Sequence, residues 1–201
     1  MVISKVEAQA HLDAEERELI RDWVLGGVAD YFGDLYKPEA RMLHRKSTRA
    51  SCIHDHILGR VSRGFQDVSG SRMLAKRGLH LLHIRDAMVV RFKKLDAQKR
   101  PRNIQTQQTI DFMKQLPHFG AATATNVIVG YELNPAATAC KSVAIVCPGE
   151  KANEWEWELL DTNLLAIAPS TVAATAPIVK VSRARIKDGV LEVVFDDARD
   201  G

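Results

Sequence analysis

An α+β fold is expected from three observations. Apolar residues recur at helical spacing through the first third of the chain. They alternate residue by residue through most of the remainder. Helices come first and strands after, rather than in a regular alternation of the two. The predicted architecture is a set of N-terminal helices, then an antiparallel or mixed sheet with one inserted helix, then a C-terminal β-hairpin. Residues 1–163 are expected to form the α+β domain and 164–177 a linker. Residues 178–201 would form the hairpin, either separate or joined to the same sheet.

Each element has a local reason. Asp13 followed by Glu16 is a capped helix start, and Ile20, Trp23, Val24, Gly27, Val28 and Tyr31 give one apolar face over about 18 residues. Gly33 and Pro38 bracket its end. A second helix is expected from Ser47 or Thr48 as cap, with Ala50, Ile53, Ile57, Val61 and Phe65 as its buried stripe. Arg49, His56, Arg60 and Arg63 fall on another side of it. Gly70 to Lys76 reads as a loop. Leu79 to Arg85 and Met88 to Leu95 read as two strands about a turn at Asp86-Ala87. In the second of these, Val90 and Phe92 share one face and Arg91 and Lys93 the other. A short helix is expected from Asn103 or Thr106 to about Gln115, stopped by Pro117 and Gly120. Strands follow at Asn126 to Leu133, Ser142 to Cys147 and Trp155 to Leu160. The tail pattern, Ile178 to Ile186 and Val190 to Phe195 about Lys187-Asp188-Gly189, is that of a hairpin.

Charge is the strongest functional signal. The chain holds 28 Lys or Arg and 25 Asp or Glu, a net +3, but these are segregated. Between Arg41 and Gln105 stand 16 basic and 4 acidic residues, and the rest of the chain is acidic. Segregation of this kind makes a local field suited to a polyanion, and nucleic acid is the expected partner. The candidate contacts are Arg45, Lys46, Arg49, Arg60, Arg63, Arg91, Lys93, Lys94, Lys99, Arg100, Arg102, Asn103, Thr106 and Gln107. Only Phe65 and Phe92 are aromatic within this stretch, which favours backbone contact over base stacking. Arg91, Lys93, Asn103, Thr106 and Gln107 would converge where a strand end meets a helix start, a natural anion site.

Catalytic constellations are incomplete. Arg49, His54, Asp55 and His56 are the candidates. Arg49 and His54 have a spacing used by some helical ribonucleases, while His54-Asp55-His56 invites a metal-dependent nuclease reading. Residues two apart on a helix do not face each other, so both histidines on one ion is the poorer geometry. Asp86 with Lys93 resembles the acid and lysine of nuclease hairpins, but Arg91 stands where the second acid would be. Phosphate-cradling loops, dinucleotide fingerprints and nucleophile elbows are missing, so no cofactor and no metal are expected. Three widely spaced cysteines, Cys52, Cys140 and Cys147, form no CxxC pair and fit a reducing cytosol. No signal-peptide core opens the chain, and Leu164 to Val179 is too short for a bilayer span. A cytoplasmic protein without membrane contact is expected.

Three stretches also resemble a family. His54-Asp-His-Ile57, Val89-Val-Arg-Phe-Lys-Lys-Leu95 and Asn103-Ile-Gln-Thr-Gln-Gln108, followed by Gly130-Tyr131, are similar to an uncharacterised bacterial family. Its members are encoded beside a helix-turn-helix repressor joined to an ImmA/IrrE-type zinc peptidase. The resemblance spans Thr48 to Leu160. It implies a toxin–antitoxin or phage-defence module in which this chain is the effector and the peptidase-type protein its antitoxin partner. It supplies no catalytic set. A non-enzymatic, antitoxin-like subunit that binds an acidic protein is the first alternative, a metal-dependent nuclease using His54, Asp55 or His56 is the second, and a homo-oligomer is compatible with each.

Overall fold

The computed structural model describes residues 2–76, 78–102, 106–117 and 123–160. The expected linker and C-terminal hairpin, and Asn103, lie outside them. Within them, N-terminal helices lead into a six-stranded mixed sheet with one helix inserted, the architecture the sequence predicts.

Two reciprocal caps start the chain. In α1 (Lys5–Ala10), the Ser4 hydroxyl accepts from the Glu7 amide and the Glu7 carboxylate accepts from the Ser4 amide. In α2 (Ala14–Phe32), Asp13 and Glu16 repeat the arrangement. α3 (Pro38–Leu43) begins on its proline, a position where the missing N–H costs nothing. α4 (Lys46–Gly64) follows and runs antiparallel to α2, so Trp23 meets Gly64 and Asp30 meets Arg60. The helices approach closely at Gly27, where a methyl group would lie 2.8 Å from the Ile57 backbone nitrogen.

The sheet is ordered β1 (Ser71–Lys76), β2 (Leu79–Ile84), β3 (Met88–Lys94), β4 (Thr125–Leu133), β5 (Cys140–Pro148) and β6 (Asn153–Glu158). Every pairing is antiparallel except β3 with β4, which are parallel in the register Val90↔Val127 and Phe92↔Val129. A parallel pair needs a crossover, and α5 (Gln107–Met113) lies in it. Ile20, Val24, Val28, Ile53, Ile57 and Val61 pack on one face, against Val90, Phe92, Val127, Val129, Val143 and Ile145. Burying each such side chain contributes about 2 kcal/mol. On the other face Phe112 of α5 joins Leu81, Val89, Leu95, Ile128 and Val146. Gln115 and Asn126 latch that helix to the sheet. The Gln115 amide donates to the carbonyls of Asn126 and Pro148, and Asn126 Nδ2 donates to those of Phe112 and Leu116.

Several local expectations are corrected. Ser71–Lys76 is a strand, not a loop. It is an edge strand with one β neighbour, so it needs no alternating apolar pattern. The β2–β3 turn sits at Arg85-Asp86, with φ of 51° and 54°, one residue earlier than expected. Two left-handed residues in succession match the twist of a hairpin. α4 starts before Ser47, at Arg45 as its cap residue, with no side-chain cap. α1 and α3 were not anticipated, because each is a six-residue helix too short to show periodicity.

Candidate nucleic-acid interface

The basic stretch of sequence separates into paired and unpaired cations. Arg60 donates twice to Asp30, at 2.8 Å each. Arg85 pairs with the buried Glu16, whose other contacts are the amides of Ser69 and Asp13. Lys99 reaches Glu158 at 3.0 Å and Arg72 reaches Asp86 at 2.8 Å. Arg100 gives its Nη2 to the carbonyls of Gly149 and Glu150. Three of these partners, Asp30, Glu16 and Glu158, come from the acidic flanks of the sequence. Part of the charge segregation is thus cancelled on folding.

Four of the other cations gather around the start of α4 and the end of β3. Lys94 is half-buried, and its ammonium pKa is lowered, first by burial and then by Arg49, Lys46 and Arg102. Four cations from three separate segments therefore share one region. Arg49 is anchored through Nη1 to the Ala137 carbonyl at 3.3 Å. Arg102 is largely exposed, and its contact with Asp96 is long, at 3.8 Å. Asp96 organises the connector by accepting from the amides of Gln98 and Arg100. Lys46 makes no ion pair among the described residues. Arg45 is exposed beside it, and α4 opens here without a side-chain cap. Its first N–H groups and its dipole add to the positive potential.

Arg91 and Lys93 project to the opposite face of β3. Arg91 is only 8% exposed, and its guanidinium lies 5.1 Å from the centre of the Phe112 ring. Burial lowers its pKa. Burial lowers that of Lys93 too, with a smaller contribution from Arg91. Neither has an ion-pair partner among the described residues. Of the polar candidates nearby, Thr106 caps α5 and Gln107 donates to Asp111 at 2.6 Å. Arg63 is exposed near the far end of α4.

The two histidines separate as helical geometry requires. His56 Nε2 meets the Tyr36 hydroxyl at 3.2 Å, and Tyr31 likewise meets His44 Nδ1 at 3.0 Å. This aromatic cluster ties α3 to α2 and α4. The sequence reading missed it, although Tyr31, Tyr36, His44 and His56 are all polar aromatics within one helical hairpin. His54 turns instead toward β3, and Asp55 is exposed. Among the described residues no three metal-ligating side chains come together. Cys140 and Cys147 are buried, which pushes each thiol up to about 12, away from nucleophilic reactivity.

Burial, then Lys93, lowers the His54 pKa to about 4, with Asp55 opposing. A histidine normally near 6.5 that resists protonation in the fold destabilises it as pH falls between those two values. His54→Gln should therefore remove about 2 kcal/mol of acid sensitivity. In urea, the stability lost by the wild type between pH 7.5 and pH 4.5 should exceed that lost by the variant. Equal losses would place the imidazole in a solvated setting.

No family model matches the chain, and no curated protein or solved structure matches it either. Among the described residues no helix is long and apolar enough to cross a membrane.

Proposed function

We infer that the chain is an intracellular nucleic-acid-binding protein that holds the phosphate backbone on the surface formed by Lys46, Arg49, Lys94 and Arg102. One observation carries this reading. Cations far apart in sequence, Lys46, Arg49 and Arg102, gather around the half-buried Lys94 closely enough to add to burial in disfavouring its protonation. Such an arrangement costs free energy in the free protein and recovers it when an anion arrives. The uncapped start of α4 adds donors of the right polarity. Aromatic side chains in this region are engaged in the core or in the helix cluster, so contact with phosphates is favoured over stacking on bases. No sequence preference follows from such contacts.

The proposed biological role is the effector of a bacterial toxin–antitoxin or phage-defence module, on the strength of the resemblance carried by residues 48–160. Induced expression of the chain alone should arrest growth and damage or sequester nucleic acid. Co-expression of the neighbouring helix-turn-helix/peptidase gene should restore growth. Normal growth in both cases would remove the effector role.

A second reading is favoured by one surface feature. Met42 and Leu43 of α3 are 86% and 85% exposed, between Arg41 on one side and Arg45 and Lys46 beyond His44 on the other. Apolar side chains flanked by cations suit an acidic protein partner, the antitoxin-like alternative. Stable co-purification with the neighbouring gene product, lost on Met42→Asp, would support it.

A further inference from the structure

A cavity of about 500 Å³ opens where three segments meet: the connector after β3, α5, and the turn between β5 and β6. These segments are fastened to one another. Arg100 donates through Nη2 to the carbonyls of Gly149 and Glu150, at 3.1 and 3.2 Å. Asn153 Nδ2 donates to the Lys99 carbonyl at 3.1 Å. Gln115, just past α5, donates to the Pro148 carbonyl at 2.8 Å. The opening is therefore built into the fold, and its walls are set before any ligand arrives.

Among the described residues, Pro101, Ile110 and Met113 give the cavity apolar walls, while Thr109, Lys114 and Glu150 supply polar groups. Apolar walls with a few convergent polar groups, at this volume, suit a small ligand. Lys114 Nζ and Glu150 Oε1 stand 3.3 Å apart, and the two side chains are 49% and 60% exposed. An exposed pair of this kind contributes little to the fold, so both charges can be turned to a ligand. The cavity also adjoins the phosphate surface. Arg102 follows Pro101 directly, which puts the two Cα atoms about 3.8 Å apart. Its exposed side chain is turned toward Asp96, two residues beyond Lys94. Arg102 thus links the cavity wall to the end of β3.

We propose that the cavity receives one unstacked guanine of the strand whose phosphates lie on Lys46, Arg49, Lys94 and Arg102. The proposal rests on the nucleic-acid reading above and adds the sequence preference that phosphate contacts do not give. A base out of its stack offers two apolar faces, which suit Pro101, Ile110 and Met113, and one polar edge. The edge of guanine places two adjacent donors, N1–H and the N2 amino group, beside the O6 acceptor. Glu150 accepts from the two donors and Lys114 donates to O6. Adenine and cytosine present one amino donor beside a ring acceptor, and uracil or thymine a single N–H between two carbonyls. Each leaves part of the Lys114–Glu150 pair unmatched.

The test compares short strands of uracil or thymine carrying one central guanine, adenine or cytosine, or none, by fluorescence anisotropy with the full chain. The guanine strand should bind about tenfold more tightly than the other three. Ile110→Trp, which fills the cavity, and Glu150→Gln, at an exposed turn, should each bring the four affinities within about twofold. The guanine-free strand should bind both variants at least as well as the wild type. Guanosine monophosphate should bind about 100-fold more weakly than the guanine strand, for want of neighbouring phosphates. Equal affinity of that nucleotide and the strand overturns the assignment to a strand. Equal binding of the four strands, a preference for another base, or a guanine preference that survives both variants overturns the cavity site and leaves the phosphate surface standing. No binding to any strand overturns both.

Discussion

Replacing Lys46 and Lys94 together by glutamate is expected to lower affinity for a short oligonucleotide about 100-fold at ~0.1 M salt. Lys46 is exposed at the first position of α4, and Lys94 is half-buried at the end of β3. Neither side chain makes a hydrogen bond or ion pair among the described residues, so their removal costs the fold little. A glutamate at position 46 even favours the helix through its dipole. Each reversal deletes one phosphate contact and adds a repulsion within a Debye length of the others. An effect of about tenfold per site is the reasonable scale. The control is Lys5→Glu with Lys151→Glu, an equal change in net charge on other exposed parts of the domain. The control should lose only a few-fold. If both pairs weaken binding equally, net charge and not a defined surface governs association.

Gly27→Ala is expected to destabilise the domain by about 3 kcal/mol. Its new Cβ would sit 2.5 Å from Ile57 Cγ1 and 2.8 Å from the Ile57 nitrogen. The second contact is with backbone, so no side-chain rotation relieves it, and α2 must move away from α4. That movement loosens the layer on which Val90 and Phe92 of β3 rest. Gly59→Ala is the matched comparison. There the Cβ would meet only the Arg63 guanidinium at 3.6 Å, an ordinary contact, and helix propensity should stabilise by about 0.5–1 kcal/mol. Urea midpoints of the two variants should therefore move in opposite directions. A neutral Gly27→Ala would mean that the helices are not so closely packed.

The long elements were legible because they repeat. α2 announces itself by its capping box and the spacing of Ile20, Trp23, Val24, Val28 and Tyr31, all of which are buried. The alternation in Met88–Lys94 correctly divides Val90 and Phe92 from Arg91 and Lys93. What stayed hidden was short or set by tertiary contact. α1 and α3 each have six residues, too few for a helical period to emerge, and β1 is an edge strand whose sequence shows no apolar alternation. The parallel pairing of β3 with β4 depends on where the crossover packs, which no local pattern records.

The candidate site was legible only as a set of cations. Sequence could not reveal that Asp30 would neutralise Arg60, or that Glu158 would reach Lys99, since these partners stand 30 and 59 residues away. The fourfold cluster around Lys94 arises because α4 begins near the end of β3. Arg49, His56, Arg60 and Arg63 all lie in α4. Their role was not legible: His56 and Arg60 are spent on Tyr36 and Asp30, and Arg49 is tied to the Ala137 carbonyl.

The most direct test of the phosphate-binding surface is the salt dependence of the wild-type chain on one single-stranded oligonucleotide, between about 50 and 200 mM salt. Four phosphate contacts predict a slope near −3 in log K against log salt. A slope near zero would contradict the account, because an interface of Lys46, Arg49, Lys94 and Arg102 cannot bind a polyanion without releasing counterions.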